Sequence, residues 1–396
     1  MKSSLIFRVL RAISYLLLAI FGLGAIGCLF PTIPVLGEVG PILLSNFGPW
    51  LIVVSLFGAV LVFRRWHRTR KKRALIVTLL ALLAAVVGIY ASARQIAVAR
   101  ANGVQINLAE AFFARSQADA SLRPVTVIYS AVGGEKLPLE IYRPASKPAA
   151  KPTPVFIYIH GGGWGAETLR QRQADYRWFA QRGYLVVSLE YSLSSETRHT
   201  WNVAEPELGC ALAWVGSNAA RFGGDPARIA LWGESAGGNL VLNLSYRANK
   251  GTLTSSCPGT VPHIAATMAL YPVVDPARMH ANPDPLIGVF GRMMTENYTG
   301  GTPASAPDRY AAITSVTHIS SAAPPTLLIV PEADHLVVPQ AAYDFAAKAS
   351  AAGVETQVIR MPYAEHSFDL RSGSIGNQLV RQAMLRFLQR HGMGVK

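Results

Sequence analysis

A serine flanked by glycines is the residue in this chain best suited to covalent chemistry. The segment Gly233-Glu234-Ser235-Ala236-Gly237 has the pattern Gly-x-Ser-x-Gly, with strand-like residues 228–232 before it and helix-compatible residues 239–244 after it. A serine on a tight turn between a strand and a helix presents its hydroxyl as a nucleophile, and the glycines leave room where a Cβ would clash. Five residues also fit a glycine-rich turn with an incidental serine, so the rest of the chain must decide.

A second glycine-rich segment, His160-Gly161-Gly162-Gly163-Trp164, directly follows the apolar run 155–159. It fits a plain flexible turn or a set of backbone N–H donors. No Gly-Lys-Ser/Thr follows it, which excludes a phosphate-binding P-loop. Glycines let several backbone amides point at one spot, as stabilisation of an oxyanion requires.

Together the two motifs, in this order, resemble the α/β-hydrolase fold and, within it, the hormone-sensitive-lipase-like group of carboxylesterases. The resemblance covers residues from about 124 to 391 and leaves out the N-terminal hundred. In that fold the acid follows a late strand and the histidine follows the last strand. The resemblance therefore implies Asp334 as the acid, with Glu332 as the nearest rival, and His366 as the histidine.

The resemblance also implies a mechanism. His366 is expected to take the proton of Ser235 as its Oγ attacks an ester carbonyl, while Asp334 orients the imidazole. Three backbone N–H groups are expected to form the oxyanion hole, and three further residues to support the site. The oxyanion donors are Gly162, Gly163 and Ala236, and the supporting residues are His160, Gly161 and Glu234.

The insertion at residues 276–317 is rich in methionine and aromatic residues. It is either a lid over a substrate pocket or a structural loop that packs its own apolar residues. Phe290 and Met293 are the candidate pocket residues of the insertion. Trp164, beside the glycine loop, either lines the pocket or packs in the core.

The order of predicted elements agrees with an α/β fold. The sequence predicts an initial hairpin that turns at Gly133-Gly134, followed by strands that alternate with helices. The predicted strands lie at 125–129, 137–142, 155–159, 184–189, 228–232, 264–270, 326–330 and 355–361. The predicted helices lie at 167–182, 202–222, 236–249, 338–352 and 375–391. Continuous apolar runs such as 155–159 are typical of buried parallel strands. The sequence predicts a mostly parallel sheet with an antiparallel hairpin at its N-terminal end and helices on both faces.

Three apolar stretches precede this domain, at residues 12–30, 42–63 and 74–93. Each is free of charge and long enough to cross a bilayer core of about 30 Å as a helix. Pro31 and Pro34 are expected to end the first helix and Pro41 to begin the second. A cleaved signal peptide is the alternative for the first stretch, but no clear cleavage site follows and two more apolar stretches do. The predicted organisation is an anchor at 1–93, a helical connector at 94–123, and a catalytic domain at 124–396 that carries the insertion.

Charge placement predicts how the anchor is oriented. Seven of the ten residues at 64–73 are Lys or Arg, whereas the segment at 31–41 carries only Glu38. Basic loops stay on the cytoplasmic side. We therefore expect a multi-pass protein, in a bacterial inner membrane, with its N-terminus in the cytoplasm and its catalytic domain outside.

Composition narrows the function classes. The formal net charge is +14, but residues 1–100 hold 12 Lys/Arg and a single acid, so most of the excess lies in the predicted anchor. The large domain has no basic patch interleaved with aromatic residues, which excludes a nucleic-acid binder. Cys210 and Cys257 form a disulfide if the domain faces an oxidising compartment, or else remain two thiols.

The expected function is a membrane-anchored serine hydrolase for carboxylic esters, acting on a small-molecule or lipid ester. The serine mechanism requires no metal or cofactor, and no Cys/His spacing resembles a zinc site. Acyl transfer by the same triad is the first alternative. A catalytically idle membrane binding module is the alternative from another class, but no element of the site motifs is missing.

Overall fold

The computed structural model describes residues 2–114, 122–131, 135–145 and 152–395. Residues 115–121 of the predicted connector, the predicted turn at Gly133-Gly134 and most of the loop that follows the hairpin fall outside these residues. The chain forms two compact units. The helical unit comprises Met1–Arg115, Pro331–His335 and Met361–Val380. The sheet unit comprises Ser116–Val330, Leu336–Arg360 and Arg381–Lys396.

Three long helices dominate the helical unit: α1 (Lys2–Leu29), α2 (Leu36–Thr69) and α3 (Lys72–Ala101). Each is long and apolar enough to cross a membrane. All three begin before the predicted spans, α1 ends at Leu29, one residue short of its predicted end, and α3 includes the first part of the predicted connector. A short helix, α4 (Leu108–Phe113), follows, with the Asn107 side chain capping its first turn.

The second helix begins earlier than the sequence predicts. Pro41 was expected to begin it, but Pro41 and Pro49 both lie inside α2. The first turn of α2 packs tightly against α1: a Cβ on Gly40 would stand 2.1 Å from the carbonyl oxygen of Gly24. This backbone contact favours a helical start at Leu36, although Pro41 removes one intrahelical hydrogen bond.

The sheet unit is built on eight strands in the order β1-β2-β4-β3-β5-β6-β7-β8. The strands are β1 (Val125–Ser130), β2 (Leu137–Tyr142), β3 (Thr153–Ile159), β4 (Leu185–Leu189), β5 (Gly224–Glu234), β6 (Ala266–Leu270), β7 (Thr326–Pro331) and β8 (Thr356–Met361). β1 with β2 and β2 with β4 are antiparallel, whereas β4, β3, β5, β6 and β7 run parallel. The predicted mixed sheet is therefore present.

Strand β5 starts before the predicted residue 228. Pro154 of β3 pairs with Asp225, and the next residue, Val155, pairs with Ile229. Asp225 therefore lies at a bulge inside the strand, where its carboxylate accepts a hydrogen bond from the amide of Ala227. Strand β3 is buried along its whole length, as its continuous apolar run predicts.

Helices cover the sheet: α5 (Gln173–Ala180), α6 (Ala204–Asn218), α7 (Ala236–Lys250), α11 (Pro339–Ala351) and α12 (Ile375–Arg390). The predicted helix at 167–182 is shorter, beginning only at Gln173, and Glu167 has a positive φ of 68° that a helix excludes. The predicted helix at 202–222 ends as a 3₁₀ turn, Ala219–Phe222. The insertion is helical, with α8 (Pro276–His280), α9 (Ile287–Thr299) and α10 (Pro307–Ile313).

Candidate active site

Ser235 stands alone between strand β5, which ends at Glu234, and helix α7, which begins at Ala236. Its backbone has φ 55° and ψ −120°, a conformation that a residue with a Cβ rarely adopts. The Ser235 amide donates to the carbonyl of Leu270 on the neighbouring strand, N to O 2.9 Å, which holds the turn in place. A Cβ on Gly237 would stand 2.2 Å from the carbonyl oxygen of Ile159, so this position admits only glycine. The predicted strand–serine–helix turn is the observed one.

The glycine loop lies beside this serine, in the same unit. The parallel pairing of Ile159 with Gly233 brings the ends of β3 and β5 together. A Cβ on Gly161 would stand 3.4 Å from Cβ of Ser235. Gly162 and Gly163 have φ of 80° and 59°, and among the described residues no acceptor lies within hydrogen-bond distance of their amides. The loop therefore places backbone N–H groups next to the serine.

His160 holds the glycine loop to strand β4. Its Nε2 lies 2.7 Å from Oε1 of Glu190, just beyond the end of β4, and its Nδ1 lies 3.2 Å from the carbonyl oxygen of Gly161. The imidazole also stacks on Tyr191, with ring centroids 4.4 Å apart. His160 is fully buried, and these contacts fix its imidazole beside the glycine loop. Sequence reasoning missed Glu190, although its place at the end of a strand was a usable signal.

Glu234 points into the protein beside the serine. It is 4% exposed and accepts a hydrogen bond from the hydroxyl of Tyr158 on β3. Burial raises the pKa of Tyr158 well above its ordinary value, which keeps this hydroxyl protonated as the donor. Glu234 therefore braces β5 just before the serine.

The predicted acid and histidine meet in the helical unit. Asp334 follows β7, and His366 follows β8. The Asp334 carboxylate oxygen Oδ2 lies 2.8 Å from Nδ1 of His366, and the side chain of Asp334 has no exposed surface. Backbone bonds join the two loops, from the amide of Ala333 to the carbonyl of Ala364 and from the amide of Glu332 to the carbonyl of Met361. His366 is thus paired with Asp334, the residue preferred over its rival Glu332.

The candidate pocket residues differ in their surroundings. Trp164 is fully buried and stacks face to face on Tyr298 of α9, with centroids 4.5 Å apart. Phe290 and Met293 of the same helix are 47% and 44% exposed. The methionine next to the glycine loop is Met294, whose Sδ would stand 2.6 Å from a Cβ on Gly163. Sequence reasoning missed Met294 because the register of α9 against the loop is set by tertiary packing.

Two of the three cysteines are paired and one is free. Cys210 of α6 and Cys257 are joined by a disulfide with their Cα atoms 5.2 Å apart, whereas Cys28 is free and buried. Among the described residues, no group of three or more His, Cys, Asp or Glu side chains is arranged to hold a metal ion.

Known structures and sequences share this architecture. The crystallised esterase Est2 of Thermogutta terrifontis, solved with propionate bound, superposes with a TM-score of 0.58 over 71% of this chain and 99% of its own, at 24% identity. This likeness shows the α/β-hydrolase fold and confirms the expected fold class.

Two curated relatives come from Mycobacterium tuberculosis. Esterase LipQ is 29% identical over 261 residues, which cover 65% of this chain and 60% of LipQ. Carboxylesterase NlhH is 41% identical over 106 residues, 26% of this chain and 32% of its own. The chain thus spans less than two thirds of the length of either relative.

The model of the BD-FAE family matches residues 139–349, more than half of the chain. The matched range includes the glycine loop, Ser235 and Asp334, and ends before His366. The chain belongs to the BD-FAE family.

Proposed function

We propose that this protein is a serine hydrolase that cleaves carboxylic esters. The observation that carries the proposal is the conformation of Ser235, which occupies a strained turn between β5 and α7 beside a loop of three glycines. Strain of this kind is retained where it serves a function. The names of the relatives, esterase and carboxylesterase, support the same activity.

The proposed reaction begins at the Ser235 hydroxyl. His366 accepts its proton as Oγ attacks the ester carbonyl, and then gives that proton to the leaving alcohol. Asp334, bonded to Nδ1, fixes the tautomer that leaves Nε2 as the base. The amides of Gly162, Gly163 and Ala236 hold the oxyanion of the tetrahedral intermediate. Water then attacks the acyl-enzyme, with His366 as base again. Attack by a second alcohol instead of water would make the same site an acyltransferase.

We propose further that α1, α2 and α3 anchor the enzyme in a membrane with its catalytic machinery outside the cytoplasm. The basic run Arg64–Arg73 joins α2 to α3, while the Pro31 turn joins α1 to α2 at the opposite ends of these helices. Contacts from the Pro31 turn and from the last part of α3 reach the loops of Asp334 and His366. The positive-inside rule then assigns these loops to the far side of the membrane. The Cys210–Cys257 disulfide supports an oxidising compartment.

The test compares the full-length protein with Ser235→Ala on p-nitrophenyl esters of graded acyl length. The proposal expects hydrolysis by the native protein, none above background by Ser235→Ala, and labelling of Ser235 by a fluorophosphonate probe. If the native protein cleaves no ester and the probe does not label Ser235, the proposal is wrong. Acyl transfer is recognised by adding a second alcohol and detecting its ester as the main product.

A further inference from the structure

The residue after the candidate acid, His335, contacts an acceptor with each of its two ring nitrogens. His335 Nδ1 lies 2.5 Å from Oε2 of Glu365, and His335 Nε2 lies 2.8 Å from the carbonyl oxygen of Pro31, in the turn between α1 and α2. When Glu365 is ionised, its carboxylate and the Pro31 carbonyl are both acceptors, so both ring nitrogens carry hydrogen. His335 is therefore an imidazolium cation.

The partner of this cation, Glu365, binds the two loops that carry the acid and the histidine. Its Oε1 accepts hydrogen bonds from the amide of His335, at 2.7 Å, and from the amide of His366, at 3.0 Å. Glu365 is 3% exposed. A buried carboxylate that accepts two amide hydrogens and faces a cation fixes the backbone on either side. Glu365 thus sets the separation of the Asp334 and His366 loops.

The predicted anchor supplies a second acidic residue that acts on His335, in addition to Glu365. Glu38, in the first turn of α2, is the only acid among residues 1–100, is buried, and acts electrostatically on His335 together with Glu365. Asp334 is the other charged group that acts on Glu365. The hydrogen bond that His335 donates to Glu365 is the main cause that raises the pKa of His335 from 6.5 to about 9, with smaller contributions from the Pro31 carbonyl and Glu38.

We propose that His335 is a positioning residue that ties the first membrane hairpin, through Pro31 and Glu38, to the loops that bear Asp334 and His366. The anchor then takes part in preparing the acid–histidine pair, in addition to localising the enzyme. This inference rests on the proposed function, because it concerns the residues proposed as acid and base.

The sign of the pH dependence follows from the cation. A group whose pKa is raised by folding contributes its stability fully below its unfolded pKa, near 6.5, and loses it as pH rises through about 9. Above that pH the neutral imidazole can donate to only one of its two acceptors. The link between Pro31 and Glu365 then breaks, and the acid–histidine pair loses its fixed geometry.

The test measures kcat and KM of the full-length protein from pH 6 to 10. We expect the native kcat to fall with a midpoint near 9. His335→Gln should lower kcat by about 10-fold to 100-fold, because this is the cost of a misplaced catalytic group. Its KM should stay within about twofold of the native value, and its kcat should not fall near pH 9. Glu38→Gln should keep the fall but move its midpoint to lower pH. His391→Gln, which removes another histidine paired with a glutamate, Glu355, is the matched control and should behave as the native protein.

The inference is overturned if the native kcat shows no fall near pH 9, or if His335→Gln keeps both the native kcat and the fall. Should His335→Gln fail to fold, the pH midpoint of the fall in kcat of Glu38→Gln decides whether the inference holds. A readout without catalysis separates this inference from the proposed function. Between pH 7 and 10, the unfolding temperature of Ser235→Ala should drop by more than that of the Ser235→Ala, His335→Gln double variant. Equal drops in the two variants would contradict the inference, whether or not the protein cleaves esters.

Discussion

Asp334 and His366, 32 residues apart in the chain, are joined by a hydrogen bond of 2.8 Å between Oδ2 and Nδ1. In the proposed mechanism this bond fixes the tautomer in which Nε2 of the imidazole transfers the proton. Asp334→Asn keeps the shape of the acid but offers an amide that favours the opposite tautomer. We expect kcat/KM for ester hydrolysis to fall by about three to four orders of magnitude.

The control for this variant is Asp225→Asn, which alters a carboxylate bound to Arg228 in the β5 bulge. It should leave kcat/KM within about twofold, since surface changes of this kind have small effects. Comparable losses in the two variants would mean that the Asp334–His366 bond has no special part in the reaction.

The glycine loop yields a second prediction. A Cβ on Gly162 would stand 2.3 Å from the carbonyl oxygen of Ala166, so Gly162→Ala must displace the loop. Losing an oxyanion donor typically costs about 100-fold to 1,000-fold in rate, and we expect kcat to drop by that amount. Gly223→Ala is matched to it, with φ 86° and open space around the new methyl group. That control should lower the free energy of unfolding by about 1–2 kcal/mol without changing kcat.

The disulfide is expected to contribute to stability alone. Cys210 and Cys257 close a segment with a sequence separation of 47. The Cys210→Ala, Cys257→Ala double variant should lose about 2–5 kcal/mol of unfolding free energy. Chemical denaturation measures the loss, and the kcat of the folded variant should remain native. A reductant should destabilise the native protein and leave the double variant unaffected; destabilisation of both would contradict the prediction.

The insertion is expected to select acyl chain length. Phe290 and Met293 are close to half exposed on α9, so replacing both by alanine removes apolar contact area at little cost in stability. The ratio of kcat/KM for long and short p-nitrophenyl esters should change by more than about threefold, since each lost methylene contact is worth about 0.8 kcal/mol. Val338→Ala, a similarly exposed apolar residue outside the insertion, should leave the ratio unchanged. An unchanged ratio in the double variant would assign the insertion a structural role.

The orientation of the anchor is tested by labelling intact cells with an impermeant maleimide. A cysteine appended after Lys396 should react before lysis, and Thr69→Cys, in the basic segment, should react only after it. The parent protein, with its free cysteine buried, is the blank. The reverse pattern would place the large domain in the cytoplasm.

Much of the fold could be read from local sequence. Buried runs such as 155–159 are apolar throughout, and glycines mark the ends of the elements, so the succession of strands and helices along the chain and the serine turn were predictable. The early start of α2 was not, because it depends on contact between Gly40 and Gly24 of another helix. The hydrogen bond between His335 and Pro31 was even harder to predict, because it joins residues 304 apart in the chain and no spacing rule connects them.

The backbone of Ser235 has a consequence for how this sequence is constrained. A φ of 55° with a ψ of −120° suits glycine, and a residue held there costs about 1–3 kcal/mol. Selection for thermal stability alone would therefore favour glycine at this position. The serine side chain at this position records a trade-off in which part of the molecule's small margin against unfolding is given up to hold one hydroxyl in the turn between β5 and α7.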